Sequence, residues 1–161
     1  MTIHPREESA ADRWARFAPI VTGDDYVASL RGRGVEVWLF GERVEEPVDH
    51  PIIRPSINAL KMTYDLALAD PGLATAHSEL IDAPVNRFLH IVGSPHDLVM
   101  KNRMQRRMGQ LTGTCFQRCA GLDTISVLHS ITFDIDAKHG TGYHQRYLEF
   151  MRHAQRANII L

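Results

Sequence analysis

Apolar residues recur at helical intervals through the second half of the chain. The longest run spaces them four, three, four, four and three residues apart, at Met104, Met108, Leu111, Cys115, Cys119 and Leu122. Such intervals place side chains on one face of an α-helix. Ser94-Pro95 precedes the run and is typical of a helix start, with an N-cap residue followed by proline at the first position. The pattern predicts one continuous helical stripe from Ser94 onward.

Further helices are predicted after this stripe, and glycines interrupt the pattern. Residues 125–137 continue a helical pattern, residues 139–142 break it, and residues 143–154 resume it. The glycines Gly109, Gly113 and Gly121 each cost about 1 kcal/mol of helix propensity relative to alanine. Glycine is tolerated in a helix where another group approaches the backbone closely, so these positions predict close contacts.

The first half of the chain is less regular. Thr22 followed by acidic residues predicts an N-cap and a short helix to Leu30. Residues 35–44 are rich in β-forming residues around a Gly-Glu turn and predict a small hairpin. A helix is predicted over residues 57–68, and residues 81–92 are expected to be extended. The fold class is therefore mainly α with a small β-hairpin, over residues 22–161, after a poorly specified lead-in over residues 1–21.

Composition narrows the classes of partner. The chain has 161 residues, of which 44% are hydrophobic, and a formal net charge of −1. This length and apolar share suffice for one domain with a buried core. The near-neutral charge gives no sign of a nucleic-acid or anionic-membrane partner. No apolar run approaches the ~18 residues of a transmembrane helix, and the acidic first residues do not form a secretory signal. We therefore expect a cytoplasmic, reducing environment.

The two cysteines, Cys115 and Cys119, are the most specific chemical feature. On one helix their Cβ atoms would be about 5–6 Å apart, whereas a disulfide needs roughly 3.5–4.5 Å. The pair is therefore badly placed to form a disulfide with itself. It is well placed to ligate a shared soft metal centre, such as zinc or an iron–sulfur cluster, with further ligands from elsewhere. Because buried cysteine behaves as a small hydrophobic residue, core packing is the alternative interpretation of the spacing.

Six short segments of the chain together carry a family resemblance. They are Gly-Glu-Arg-Val at 41–44, Val-Asp-His-Pro-Ile-Ile-Arg-Pro-Ser-Ile-Asn at 48–58, Met-Thr-Tyr at 62–64, Asn-Arg-Phe at 86–88, Met-Gln-Arg at 104–106 and Cys-Phe-Gln-Arg-Cys at 115–119. These segments resemble the 4-hydroxybutyryl-CoA dehydratase family. The resemblance covers residues 22–161 and is to the amino-terminal part of those enzymes. It implies the broader 4-hydroxyphenylacetate 3-hydroxylase family and the helical amino-terminal domain of the acyl-CoA-dehydrogenase-like fold.

The resemblance also implies a cofactor-dependent lyase. In this family the matching cysteines supply two of four ligands to a four-iron, four-sulfur cluster, so Cys115 and Cys119 are the expected metal ligands. The cluster lies beside FAD, and the implied reaction is a radical dehydration of an acyl-CoA substrate to crotonyl-CoA, with vinylacetyl-CoA isomerase activity. A one-electron redox partner suits this reaction because the hydrogen removed is too weakly acidic for a carboxylate base alone.

Polar residues near the cysteines are further candidates. Gln117 lies between the two expected ligands, where its amide could reach flavin or substrate; the alternative is a solvated helix position. Four arginines could pair with phosphates of FAD or CoA, or form a solvated face, and Arg106 is our candidate for cofactor binding. These are Arg103, Arg106, Arg107 and Arg118.

The histidines are expected to have other roles. His50 precedes a proline in a matching segment and is expected to be structural, positioning a turn. The chain has no third cysteine. Without one, we do not assign His139, His144 or His153 as a metal ligand.

The family's sequence continues beyond the point that matches residue 161. Its flavin-binding β domain and carboxy-terminal helical domain follow, and the later part of the sequence carries the remaining cluster ligands. We therefore expect a fragment or subunit that is inactive alone and that works as a homo-oligomer or with a complementing second chain. Two alternatives remain: a fragment of a flavin-dependent 4-hydroxyphenylacetate 3-monooxygenase-type oxidoreductase, against which the cysteine pair argues, and a non-catalytic helical interaction module with exposed apolar surface.

Overall fold

Six helices and two β-hairpins form the part of the chain that the computed structural model describes, residues 18–161. The helices are α1 Gly23–Leu30, α2 Arg54–Ala69, α3 Pro71–Ala74, α4 Pro95–Thr112, α5 Cys119–His139 and α6 Tyr143–Ala157. The strands are β1 Val37–Leu39, β2 Glu42–Val44, β3 Thr75–Ser78 and β4 Ala83–Asn86, and a 3₁₀ turn spans Arg87–Leu89. The predicted mainly α fold is confirmed. Most of the predicted lead-in, residues 1–17, lies outside the described residues.

The start of α1 follows the predicted capping chemistry. The amide of Asp25 donates to Thr22 Oγ1 at 3.0 Å, and the amide of Thr22 donates to Asp25 Oδ2 at 2.8 Å. This reciprocal capping box satisfies amides that a helix end leaves without partners. Residues 18–21 precede the cap without regular structure, and the amide of Ile20 donates to the carbonyl of Ala157 at 3.0 Å.

The predicted hairpin is confirmed, but its turn is Phe40-Gly41 and not the predicted Gly41-Glu42. A second hairpin was missed. Strands β1 and β2 pair antiparallel, and Phe40 and Gly41 between them have φ values of 52° and 84°. Positive φ at both central residues is what a type I′ two-residue hairpin turn requires. The second hairpin pairs β3 with β4. Residues 81–92, predicted as extended, instead contain β4 and the 3₁₀ turn, so that prediction was only partly right.

The prediction of one continuous helix from Ser94 through both cysteines was wrong. Helix α4 ends at Gly113, which has a φ of 61° and donates its amide to the carbonyl of Gly109 at 3.0 Å. A glycine in the left-handed conformation is a common helix stop because it has no Cβ to clash. A new helix, α5, begins at Cys119. The later predicted break is confirmed, since Gly140 ends α5 with a φ of 64°.

The core lies where the helices meet the two hairpins and the 3₁₀ turn. Met104 and Met108 of α4 are fully buried and share one cluster with Phe88 and Leu122. A second cluster joins α1 to α2, where the rings of Tyr26 and Tyr64 stack with centroids 5.4 Å apart. A third cluster lies between α5 and α6 and comprises Ile125, Tyr147 and Met151.

Within residues 18–161, no helix combines the length and the apolar character needed to cross a membrane.

Candidate functional site

Both cysteines lie in the stretch that joins α4 to α5, which we call the cysteine segment (residues 113–119). Its side chains alternate between solvent and core. Cys115 and Gln117 are exposed, Phe116 and Arg118 are buried, and Cys119 is half-buried at the first position of α5. This two-residue alternation replaces the helical periodicity that the sequence predicted. It leaves Cys115 accessible while its neighbours hold the segment against the core.

The two thiols are free and differently placed. Neither is in a disulfide, and the amide of Gln117 donates to Cys115 Sγ at 3.4 Å. Cys119 packs partly against the cluster that contains Met104 and Met108. The core-packing interpretation is therefore wrong for Cys115 and holds in part for Cys119. Because the cysteines do not share one helix, their approach to a common centre depends on the conformation of the cysteine segment.

The donors in the described part of the chain make at most a partial metal site. Within residues 18–161, no three or more His, Cys, Asp or Glu side chains are grouped to hold a metal ion. Thiolate sulfur is nevertheless the donor that iron–sulfur clusters use. Cys115 and Cys119 therefore fit two positions of a four-ligand cluster, and the other ligands would come from outside this group.

Arg118 is the one charged residue of the cysteine segment, and it is buried. Its side chain is 2% exposed. The guanidinium donates from Nη1 to Thr63 Oγ1 at 2.9 Å and from Nη2 to the carbonyl of Ile159 at 3.2 Å. Its central carbon lies 5.0 Å from the ring centroid of Tyr64 and 5.1 Å from that of Phe88. Burial of the charge lowers the pKa of Arg118 to about 10.

This burial corrects part of the sequence interpretation. Arg118 does not belong to a solvated arginine face, because its side chain points into the core between two aromatic rings. The other three arginines, on α4, are exposed. They are Arg103, Arg106 and Arg107.

The two remaining candidates, Gln117 and Arg106, are both exposed, on the cysteine segment and on α4. Gln117 is not on a helix, contrary to the sequence-based alternative. Its φ of 56° places it in the left-handed region, which is uncommon for a residue with a Cβ. The side chain of Arg106 makes no hydrogen bond or ion pair with another residue in the part of the chain that the structure describes. Both side chains are therefore exposed to solvent and accessible to a ligand.

The histidines are spread over several elements. His50 lies in the turn before α2, where its carbonyl accepts from the amide of Arg54 at 2.8 Å, in line with its expected structural role. His144, at the start of α6, lies 3.0 Å from Thr132 Oγ1 and packs edge-on against the ring of His129. Neither His139, which is exposed, nor His153 joins a metal-binding group within the described residues.

A surface cavity of about 740 Å³ was missed by the sequence interpretation. Among its lining residues are His77, His90, Asp97 and His129. Burial lowers the pKa of His90, which favours its neutral form. No single motif could have predicted this cavity, because its residues come from the second hairpin, the loop before α4, and helices α4, α5 and α6.

Comparison with known proteins identifies the family. The family model described as 4-hydroxyphenylacetate 3-hydroxylase N terminal matches residues 22–161. The chain belongs to the 4-hydroxyphenylacetate 3-hydroxylase N-terminal family. The match begins at Thr22, the residue that caps α1.

Within this family, the chain is similar to dehydratases. It is 44% identical over 145 residues to the 4-hydroxybutyryl-CoA dehydratase/vinylacetyl-CoA-Δ-isomerase of Clostridium aminobutyricum. The structure of an oxygen-tolerant archaeal 4-hydroxybutyryl-CoA dehydratase from N. maritimus is 60% identical, with a TM-score of 0.86. These similarities confirm the predicted resemblance and are consistent with a helical amino-terminal domain.

The matched region is a minor part of each relative. It covers 88% of this chain but 29% of the Clostridium protein, and 88% of this chain but 28% of the archaeal one. A shorter match, 38% identical over 45 residues and 28% of this chain, is to the oxygenase component of 4-hydroxyphenylacetate 3-monooxygenase from Thermus thermophilus, of which it covers 9%. The family member described here thus spans less than a third of its dehydratase relatives.

Proposed function

We propose that this chain is the amino-terminal part of a flavin- and iron–sulfur-dependent 4-hydroxybutyryl-CoA dehydratase. The single observation that supports this most strongly is the 60% identity to the archaeal dehydratase, with a TM-score of 0.86. The exposed Cys115 and half-buried Cys119 add a chemical reason, because a soft cluster requires thiolate ligands. The substrate class under this proposal is an acyl-CoA thioester with a hydroxyl group at carbon 4.

Under this proposal, Cys115 and Cys119 hold two positions of a four-iron, four-sulfur cluster. With FAD, the cluster would supply the one-electron chemistry that removal of a weakly acidic hydrogen requires. The chain's own contribution is to bind and orient. The exposed side chain of Gln117 would direct its amide towards flavin or substrate, and the exposed guanidinium of Arg106 would bind a phosphate of FAD or CoA.

The proposed enzyme has three domains, of which this chain forms the first. Residues 22–161 form the helical amino-terminal domain, and a flavin-binding β domain and a helical carboxy-terminal domain complete the enzyme. The chain alone is inactive, since it brings two of four cluster ligands. It works as a homo-oligomer or with a complementing chain, in the cytoplasm, where a reducing environment keeps both thiols free.

The test is anaerobic reconstitution with iron and sulfide, using the chain together with the polypeptide that completes the enzyme. We expect Cys115→Ala and Cys119→Ala each to lose the bound cluster and the dehydration of 4-hydroxybutyryl-CoA. Thr114→Ala is the matched control, because Thr114 is exposed beside Cys115 and carries no thiol. Iron and sulfide contents equal to wild type in both cysteine variants would contradict the ligand assignment.

The short match to the monooxygenase oxygenase component favours a second candidate activity, the hydroxylation of 4-hydroxyphenylacetate. Under this alternative, the completed enzyme would hydroxylate 4-hydroxyphenylacetate with oxygen and reduced flavin. We expect no such product, since the cysteine pair would have no role in that reaction. Hydroxylated product in the absence of a cluster would favour the monooxygenase. If the completed enzyme showed neither dehydration nor hydroxylation, that result would favour a non-catalytic interaction module.

A further inference from the structure

Arg118 carries a positive charge into the core without a carboxylate to balance it. Among residues 18–161, no Asp or Glu side chain forms an ion pair with it, and its partners are the Thr63 hydroxyl, the Ile159 carbonyl and two aromatic rings. Burying a charge is costly unless hydrogen bonds and nearby π-systems offset the lost hydration. Replacing a buried charged group by an apolar side chain of similar volume often leaves the folded protein equally stable or makes it more stable. A role in fixing one conformation is therefore the more economical explanation of this residue.

The contacts of Arg118 join the cysteine segment to three other parts of the fold. Thr63 and Tyr64 belong to α2, Phe88 to the 3₁₀ turn, and Ile159 to the stretch after α6. A guanidinium is a planar fork, so two donors that meet two fixed acceptors restrict both its position and its orientation. Because Arg118 directly precedes Cys119, this restriction passes to the cysteine segment.

The backbone beside Arg118 needs such an anchor. Gln117 has a φ of 56°. This left-handed conformation is unfavourable for a residue with a Cβ, and it persists only where the surrounding structure holds the backbone in place. Phe116 helps from the other side, with its ring centroid 5.5 Å from that of Phe88. The two buried side chains thus hold Gln117 between them. In turn, the conformation of Gln117 sets the direction from Cys115 to Cys119.

We propose that Arg118 is a positioning residue, which holds the cysteine segment in the conformation that lets Cys115 and Cys119 bind one shared centre. This role rests on the proposed function, because the thiols concerned are the proposed cluster ligands. Arg118 itself touches neither the cluster nor the substrate in this proposal. Its contribution is to preorganise the two sulfurs before a ligand arrives.

The test uses the full chain and a probe that contains no iron. Phenylarsine oxide binds two thiols at one arsenic atom, so its affinity reports whether the sulfurs reach a common centre. The critical variant is Arg118→Met, which keeps a long apolar side chain and removes the fork. Arg118→Lys keeps the charge without the planar fork, and Thr63→Val removes one acceptor. Arg156→Met is the matched control, since Arg156 is an exposed arginine on α6.

We expect Arg118→Met to weaken arsenical binding by about tenfold, the equivalent of one or two lost hydrogen bonds. Arg118→Lys should recover part of the affinity, Thr63→Val should fall between wild type and Arg118→Met, and Arg156→Met should match wild type. Hydrogen exchange provides the second measurement. The amides of residues 113–118 should exchange faster in Arg118→Met, while those in the middle of α6 should not change.

Unchanged affinity and unchanged exchange in an Arg118→Met chain of normal helicity would overturn the positioning role. If that variant does not fold, arsenical affinity and hydrogen exchange are compared between Thr63→Val and wild type instead. Unchanged values in Thr63→Val would likewise overturn the positioning role, because this substitution removes the hydroxyl that Arg118 contacts and little volume. A wild-type chain that binds no arsenical would count against the shared centre, and the exchange rates alone would then decide the role of Arg118. The two proposals can therefore fail separately.

Discussion

The main-chain oxygen of Leu161 lies against Gly121, only 2.5 Å from the point where a Cβ on that glycine would be. No real Cβ tolerates such a distance, so the first turn of α5 accepts only glycine here unless the backbone shifts. The approaching residues are themselves held in place, because Arg118 and Tyr64 donate to the carbonyls of Ile159 and Asn158. This contact fixes where the end of the described chain meets the first turn of α5, next to the cysteine segment.

Gly121→Ala should therefore destabilise the chain. We expect a loss of about 1–3 kcal/mol in the free energy of unfolding, the usual cost of forcing extra volume into a packed site. Gly109→Ala is the matched control, because nothing lies within 4 Å of its added Cβ and the residue is inside α4. That change should stabilise by roughly 0.5–1 kcal/mol. Equal effects of the two substitutions in urea unfolding would contradict the contact.

The glycines also show what the sequence could and could not reveal. Sequence reasoning predicted close backbone approach at Gly109, Gly113 and Gly121, and only Gly121 has it. Gly113 is needed for its positive φ, and this ended the helix that the apolar spacing had extended. Periodicity counts apolar residues and does not register the backbone conformation of one glycine. The sequence therefore predicted the wrong local structure for the cysteine segment.

Gln117 offers a prediction about strain beside the proposed ligands. Its φ of 56° is unfavourable for a side chain with a Cβ and most unfavourable for a β-branched one. Gln117→Gly should leave stability unchanged or raise it by up to about 1 kcal/mol, whereas Gln117→Val should lower it by roughly 1–2 kcal/mol. Thermal unfolding of the two variants beside wild type measures both effects. A valine variant as stable as the glycine variant would show that the segment readily adopts another conformation.

A buried polar chain joins the second hairpin to α6. Ser78 Oγ donates to Gln155 Oε1 at 2.7 Å, and Gln155 Nε2 donates to the carbonyl of Leu89 at 2.9 Å. Ser78→Ala should cost about 1–3 kcal/mol, because it leaves a buried amide oxygen without its donor. Ser130→Ala, on the exposed side of α5, should stay within about 0.5 kcal/mol of wild type. Similar costs for the two serines would contradict the network.

This network and Arg118 explain why other parts of the fold escaped sequence reasoning. Strand β3 has the sequence Thr-Ala-His-Ser, which lacks the apolar alternation by which strands are recognised. It is held instead by pairing with β4 and by the bond from Ser78 to Gln155, which lies 77 residues away in sequence. The sequence likewise predicted Arg118 at the surface, because most arginine side chains in folded proteins are exposed. Only the arrangement of Thr63, Ile159 and the two rings makes its burial possible.

The final prediction concerns alkaline pH. The hydroxyl of Tyr147 is buried and donates to the carbonyl of Ile125 at 2.6 Å, and burial raises its pKa above the ordinary value of 10.0. Below pH 10 this hydroxyl is protonated in both the folded and the unfolded chain. Above pH 10 the unfolded chain loses the proton first, so Tyr147 lowers stability as pH rises, by up to about 1.4 kcal/mol per pH unit.

Tyr147→Phe should therefore reduce the alkaline loss of stability. At neutral pH the variant should be about 0.5–1.5 kcal/mol less stable, because the hydrogen bond to Ile125 is lost. Above pH 10 its free energy of unfolding should fall less steeply than that of wild type, and the two curves should converge. Tyr64, whose pKa burial raises to about 12, titrates in both proteins and cancels in the comparison. The exposed Tyr143→Phe variant is the control, and parallel curves for Tyr147→Phe and wild type up to pH 11 would show that Tyr147 is not the group responsible.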